Sequence, residues 1–248
     1  MLHIWAAEQG LLLAHAPVDR ANGEIAGIPE LLRLVNVTGA IVTADANACT
    51  APITQAIREA GADYVLALKA NRQNLYRHVV DAFAQAAATK QRVGTHVAKS
   101  VGHGRDEQRT VRVMRLGPLP GNTDAAWTDV DTIVQVDRVR IVDGVATESR
   151  LHFITSLPPV AAEIARAIRT HWRVENDLHW VLDVGFAEDR RKIRDTFAAA
   201  NFATVTRFAL ALLKRDTSNR RGVAAKRRMA SWSHDYLLRV LTAGKIEV

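Results

Sequence analysis

The sequence predicts an α/β protein, a mixed sheet with flanking helices that is interrupted by an antiparallel β segment. Three observations carry this. The almost continuously apolar runs at 40–44 and 64–68 each precede a helical stretch, and such strands alternating with helices make a parallel sheet covered on both faces. Between about residues 92 and 156 the period changes to the two-residue alternation of half-buried strands. From 158 to 189 apolar residues return at helical spacing.

Residues 2–7 and 11–18 are short apolar runs joined by Glu8-Gln9-Gly10. Gly10 suits the positive φ of a tight turn, so they predict a hairpin. Asp19 to Gly23 read as a polar loop, and 24–35 as a helix whose start is disturbed by Gly27 and Pro29. Asp45 ends the next strand. Thr50 is placed to cap a helix with Pro52 in its first turn and Gly61 at its end. Lys69 ends the strand at 64–68, and a helix runs from about Gln73 to Ala88. Ligands of open α/β sheets bind beyond the carboxyl ends of strands, which singles out Asp45 and Lys69. HVAKSV, EQRTVRVMRL, DTIVQVDRVRIV and ATESRLHFITSL are the β runs, separated by turns such as Asp143-Gly144, and HGRDEQR (103–109) is a charged patch among them. Phe197, Phe202, Val205, Phe208 and Leu212 predict a second amphipathic helix, packed on the one before it.

The chain of 248 residues is 48% hydrophobic and 24% charged, ordinary for a globular protein of one large core or two modest ones. Its net charge of +7 favours an anionic partner such as nucleic acid. Seven Lys and Arg between Lys214 and Arg228 face one acid, Asp216, and read either as a solvated helical face or as a DNA-backbone contact. The lone Cys49 excludes an internal disulfide framework and reads as a small buried hydrophobe. The stretch MLHIWAAEQG has no basic n-region, so no signal peptide is expected, and no apolar run approaches the roughly 18 residues that cross a bilayer. A cytoplasmic protein with no membrane partner is expected. Zinc spacing, GxGxxG and the P-loop motif do not occur.

In the stretch 158–189, Ile164, Ile168, Trp172, Leu178 and Leu182 share one helical face, and Glu175 falls on the same stripe. His171 and His179 flank it at i−4 and i+4. A carboxylate on a core-facing stripe needs a partner. The residues leave two readings open, a buried ion pair with a neighbouring Arg or His, or a metal ligand or general base in a cleft. An Asp at a strand end and a Glu on a distant helix are also what a divalent cation needs for phosphoryl transfer.

AIVTADANAC, DYVLALKAN, HGRDEQR, HWRVENDLHWVLDVGFAEDRRKIR and NFATVTRFALALLK together resemble the H-repeat-associated class of insertion-sequence transposases, in the DDE superfamily. The likeness covers nearly the whole chain. It implies an RNase H-like fold on which Asp45 is the second and Glu175 the third acid of the triad. Both would be ligands of Mg²⁺ (or Mn²⁺) in DNA strand cleavage and strand transfer. It implies DNA partners, both transposon ends and target, and a homo-oligomer in a transposition complex. Lys69 and Asn71 match a segment beside the site, where a phosphate or substrate contact is one reading and a solvent-facing strand-end Lys and a turn Asn are the other. Arg173, Arg190, Arg191, Lys192 and Arg194 are candidates for the DNA backbone. His103, Arg105 and Arg109 match a motif for which the resemblance supplies no role.

The chain also departs from that family. The family's first Asp lies on the strand just upstream of Leu2, and Thr50, Ala70 and Arg72 stand where it has Gln, Gly and Gln. A truncated, inactive copy is therefore expected, lacking the first strand of the fold and leaving two strand edges unpaired. Asp19, Asp183 and Asp189 are the acids that could replace the missing one, and helix-end charge is the simpler reading of Asp183 and Asp189. The expected divisions are a first RNase H-like part over 1–90, a β insertion over 91–157, a second RNase H-like part with the Glu helix over 158–215, and a basic tail over 216–248. The carboxylates of Asp45 and Glu175 are expected within roughly 8 Å of each other, close enough for one or two cations. Two alternatives share these residues: a non-catalytic DNA-binding fragment that inhibits a full-length transposase, and an RNase H-like nuclease.

Overall fold

The structure, a computed structural model, describes residues 2–16, 23–102, 104–117 and 127–242. Its elements in chain order are β1 (Leu2–Ala6), β2 (Leu11–Ala16), α1 (Gly23–Ala26), α2 (Ile28–Arg33), β3 (Ile41–Ala44), α3 (Ala51–Glu59), β4 (Asp63–Leu68), α4 (Gln73–Ala88), β5 (Gly94–Gly102), β6 (Arg105–Arg115), β7 (Thr132–Val142), β8 (Val145–Thr155), α5 (Ala161–His171), α6 (Trp180–Phe186), α7 (Thr196–Arg215), α8 (Val223–Trp232) and α9 (His234–Leu241). They form two compact units, one over Ile28–His171 and one joining Met1–Gly27 to Trp172–Val248.

The first of these units is built on a six-stranded mixed sheet in the order β3-β4-β8-β7-β6-β5. β3 and β4 are parallel, and every other neighbouring pair is antiparallel. This is the predicted α/β architecture of a mixed sheet with flanking helices. The antiparallel strands extend the same sheet, because β8 pairs directly with β4. Period-two patterning explains the packing. Val111 and Val113 of β6, Val134 and Val136 of β7 and Phe153 of β8 point to one face, where Ala161, Ile164, Ala167 and Ile168 of α5 cover them. α3 on β4 and α4 on β8 cover the other face. Asp143 (φ 49°) and Gly144 (φ 79°) turn β7 into β8, the left-handed pair that a two-residue hairpin requires. Gly94 is demanded by packing, since a Cβ there would lie 2.7 Å from Val113 Cγ2.

In the other unit β1 and β2 form the predicted hairpin, with Gly10 at φ 65° and a register shift between Ile4 and Trp5. Its core joins Leu178, Leu182 and Phe186 to Leu210, Leu213, Tyr236 and Val240, with Trp5 and Leu12 of the hairpin packed against them.

Several local expectations are corrected. Residues 24–35 form two short helices, α1 and α2, rather than one, because Gly27 and Pro29 break the hydrogen-bonding run. Thr50 precedes α3, but its hydroxyl makes no cap bond; its carbonyl instead accepts from Ile53 N and Thr54 N. The long helix of 158–189 stops at His171 and resumes through an i→i+5 turn at Glu175–His179. That turn holds one more residue than an α-turn, so three-and-four spacing no longer predicts the face. Ile168 and Leu178 are buried, while Trp172 and Glu175 between them are exposed. On α7, Phe197, Val205 and Phe208 are exposed, and Ala203, Leu210 and Leu213 turn inward instead. Both faces of that helix are apolar, so its spacing alone does not choose between them.

Ile164 is fully buried between α5 and the sheet. Ile164→Ala is expected to cost about 2–5 kcal/mol in chemical denaturation of this unit. Val101→Ala, at a site 85% exposed, is expected to stay within about 0.5 kcal/mol.

Candidate active site

Asp45 follows β3 directly. Alternation places Thr43 and Asp45 on the α5 side of the sheet, since Thr43 pairs in register with the inward Val65. The last residue of α5 closes over them. His171 Nδ1 is 3.0 Å from Thr43 Oγ1, and its Nε2 is 3.6 Å from Asp45 Oδ1. The Asp45 side chain is 86% exposed. Beneath it the backbone is clamped. The Asn71 amide donates to Ala46 O at 3.1 Å and Arg72 Nε to Cys49 O at 2.7 Å. These two residues thus tie the loop after β4 to the loop after β3. Lys69 follows β4 directly, with an exposed side chain. Between the two loops opens a cavity of about 540 Å³, lined among others by Thr50, Pro52, Asn71, Arg72 and Trp127. Cys49 is fully buried and burial pushes its thiol up to about 12, which keeps it protonated and unreactive.

Glu175 belongs to the other unit. It opens the i→i+5 turn with its side chain 63% exposed, and His179 Nδ1 lies 3.5 Å from its Oε2. The His179 ring is 5.9 Å from that of His3, on β1. His3 Nε2 accepts from Arg207 Nε at 2.9 Å, and the buried Arg207 guanidinium holds both oxygens of Glu188, at 2.7 and 3.2 Å. A connected row therefore runs from Glu175 through His179, His3 and Arg207 to Glu188. Burial first, and then the charge of Arg207, lowers the His3 pKa to about 3, so its ring is neutral. Sequence reasoning missed His3, Arg207 and Glu188. Arg207 alone carries a signal, as a cation inside the apolar run of α7.

The candidate DNA contacts divide by environment. Arg190, Lys192 and Arg194 are exposed. Arg173 pairs with Asp177 at 3.2 Å. Arg191 is turned inward, donating to Phe186 O at 2.6 Å and Thr206 Oγ1 at 3.1 Å with its guanidinium 4.3 Å above the Phe202 ring. In the basic tail, Lys214 lies over Trp5 and donates to Asp177 O, Arg227 donates to Gly185 O, and Lys226 is buried between Leu213 O and Asp216. Arg215, Arg220, Arg221 and Arg228 are left exposed. Asp183 and Asp189 are exposed too. His103 and Asp19 lie outside the described residues.

Among the described residues no group of three or more His, Cys, Asp or Glu side chains could hold a metal ion. Exposed carboxylates such as Asp45 and Glu175 are nevertheless ligands of the type a hard cation takes, and Mg²⁺ commonly binds through one or two carboxylates while keeping its waters.

The family described as the transposase DDE domain matches residues 1–213. The chain belongs to this family of DDE transposases. Such domains generally use divalent metal ions. Among relatives, the chain is 29% identical over 249 residues to "Putative transposase YncI" of Escherichia coli O157:H7, covering 98% of this chain and 63% of the relative. It is 30% identical over 245 residues to "Putative protein YbfL" of Escherichia coli (strain K12), covering 97% and 65%. It is 29% identical over 245 residues to "H repeat-associated putative transposase YhhI" of the same strain, again covering 97% and 65%. The chain therefore spans slightly less than two thirds of the length of these relatives. The class that the motifs resemble is the class these matches support. No helix among the described residues is long and apolar enough to cross a membrane.

Because His3 is depressed from 6.5 to about 3, the unfolded chain binds the extra proton between those values and the folded unit does not. Stability is then lost as pH falls through that window. Melting temperatures at pH 7 and pH 4 are expected to differ less in His3→Gln than in the parent. An equal acid loss in both proteins would rule His3 out as the source.

Proposed function

We propose that this chain acts on DNA as a DDE transposase, with Asp45 and Glu175 as the second and third acids of its triad; the inactive copy expected from the sequence would give no metal-dependent product. The observation that carries the reading is Asp45, exposed at the carboxyl end of a parallel strand with a fixed histidine against it, in a chain matched to the family over residues 1–213. Asp45 and Glu175 would hold Mg²⁺ or Mn²⁺, which when bound activates the attacking oxygen and stabilises the leaving one. His171, held by the Thr43 hydroxyl, orients the Asp45 carboxylate, and His179 stands in the same relation to Glu175. Lys69, Arg173, Arg190 and Arg194 supply charge for the phosphates of transposon ends and target. The reading includes a homo-oligomer that assembles both ends.

The test is the full chain with labelled end-bearing duplex in Mg²⁺ or Mn²⁺. Asp45→Ala and Glu175→Ala are each expected to lower cleavage at least about 100-fold while changing DNA affinity less than about twofold. Joining of the cut 3′ end to a second duplex distinguishes transposition from nuclease action. Salt-sensitive binding by the parent with no metal-dependent product would sink strand transfer and favour the non-catalytic DNA-binding reading.

A further inference from the structure

Strand alternation sorts the side chains of β6 into two rows. One row holds Val111 and Val113 in the core under α5. Followed along the strand, the same row becomes Arg109, Glu107 and Arg105. β7 is registered so that Arg138 stands opposite Arg109 and Arg140 opposite Glu107. Four arginines therefore share one face with a single carboxylate. Arg169, exposed in the last turn of α5, approaches the same group. Burial first, and then the charges of Arg169 and Arg138, pull the Arg109 guanidinium below its usual range against the opposing pull of Glu107.

That carboxylate already has two arginines against it. Glu107 is buried, in contact with Arg109 through one oxygen and 3.2 Å from Arg138 through the other. Among the described residues Arg140 has no carboxylate partner, and its buried Nε has no hydrogen bond. The other acids nearby, Asp106, Asp137 and Glu148, belong to the opposite row, where Asp137 takes Arg112 and Arg150. The neighbouring strands add only small neutral residues to the arginine row, such as Ser100 on β5 and Thr147 and Ser149 on β8. Like charges directly opposite one another weaken a sheet. A ladder kept for folding alone would carry a second acid here.

We propose that this arginine face of β6 and β7 docks the sugar–phosphate backbone of DNA. The inference rests on the reading that the chain acts on DNA, and adds a contact surface that reading does not contain. Guanidinium forks match phosphate oxygens in pairs. From Arg105 to Arg109 the row extends roughly 13 Å, about four base-pair steps measured along the axis of a duplex. Contacts of this kind position a duplex without reading its sequence.

The experiment measures the affinity of the full chain for a fluorescent duplex across a salt series. Arg138→Gln/Arg140→Gln is expected to flatten the log–log salt slope by about 1.8 and to weaken binding at least roughly tenfold near 0.1 M salt. Arg105→Gln/Arg169→Gln, at two exposed positions, is expected to do the same and keeps the test valid if the first pair lowers the melting temperature. Lys99→Gln, an exposed charge in the opposite row, is expected to leave the slope within about 0.3 of the parent value. Unchanged slopes in both double variants of a DNA-binding parent would overturn this surface alone, as would an equal loss in Lys99→Gln. A parent that binds no DNA would overturn the functional reading together with it.

Discussion

The ladder between β4 and β8 is the joint on which the larger unit depends. β4 is the only strand that is parallel to one neighbour and antiparallel to the other among the described residues. Its register is pinned by buried side-chain bonds as well as by the backbone. Thr155 Oγ1 donates to Tyr64 O at 2.5 Å, while Ser156 Oγ accepts from Tyr64 N and donates to Asp63 Oδ1. Tyr64 and Thr155 are both fully buried. A slip of one residue would exchange Phe153 and Ile154 between the two covered faces. It would also displace α5, which starts six residues after β8. α5 is about 16 Å long, and it delivers His171 to Thr43 and Asp45 at its far end. The placement of His171 against Asp45 is thus a consequence of pairing between residues 91 apart in sequence.

The two candidate acids share a local design. Each is exposed, and each has one histidine nitrogen 3.5 to 3.6 Å from a carboxylate oxygen. Exposure keeps the cost of an unneutralised carboxylate low. The buried charge lies one step back, in Arg207 and Glu188, where a bidentate pair and the neutral His3 satisfy it. Rigidity beneath an open acid is what a metal-binding carboxylate needs from its scaffold. The i→i+5 turn that begins at Glu175 belongs to the same pattern, since such turns are rare and recur at functional sites.

Much of this was legible where local chemistry determines structure. The boundaries of α4, the apolar strands β3 and β4, the four β runs and the Asp143-Gly144 turn follow from period and turn residues. Asp45 is visible for a related reason, because the strand before it is short, apolar and followed at once by polar loop residues. What escaped depends on choices that periodicity does not make. α7 is apolar all round, so Phe208 could not be told from Leu210. The pairing of β8 with β4 joins segments remote in sequence. The Asn71 amide, expected at substrate, is spent on the Ala46 carbonyl, which only the fold of two separate loops can show.

Net charge is the feature that misleads most. The excess of +7 points to an anionic partner without saying where it binds. The basic tail looks like the answer in sequence, and only part of it is free: Lys214, Lys226 and Arg227 hold α7 and α8 in place, while Arg215, Arg220, Arg221 and Arg228 stay exposed. Arg191 and Arg207 are likewise consumed by carbonyls, hydroxyls and Glu188. A cation whose donors are taken up by buried acceptors has fewer left for a phosphate. Anion-binding capacity therefore has to be sought where guanidiniums outnumber the acceptors within their reach. On β6 and β7 one buried glutamate faces four arginines of its own row, and the surplus there is fixed by strand register rather than by composition.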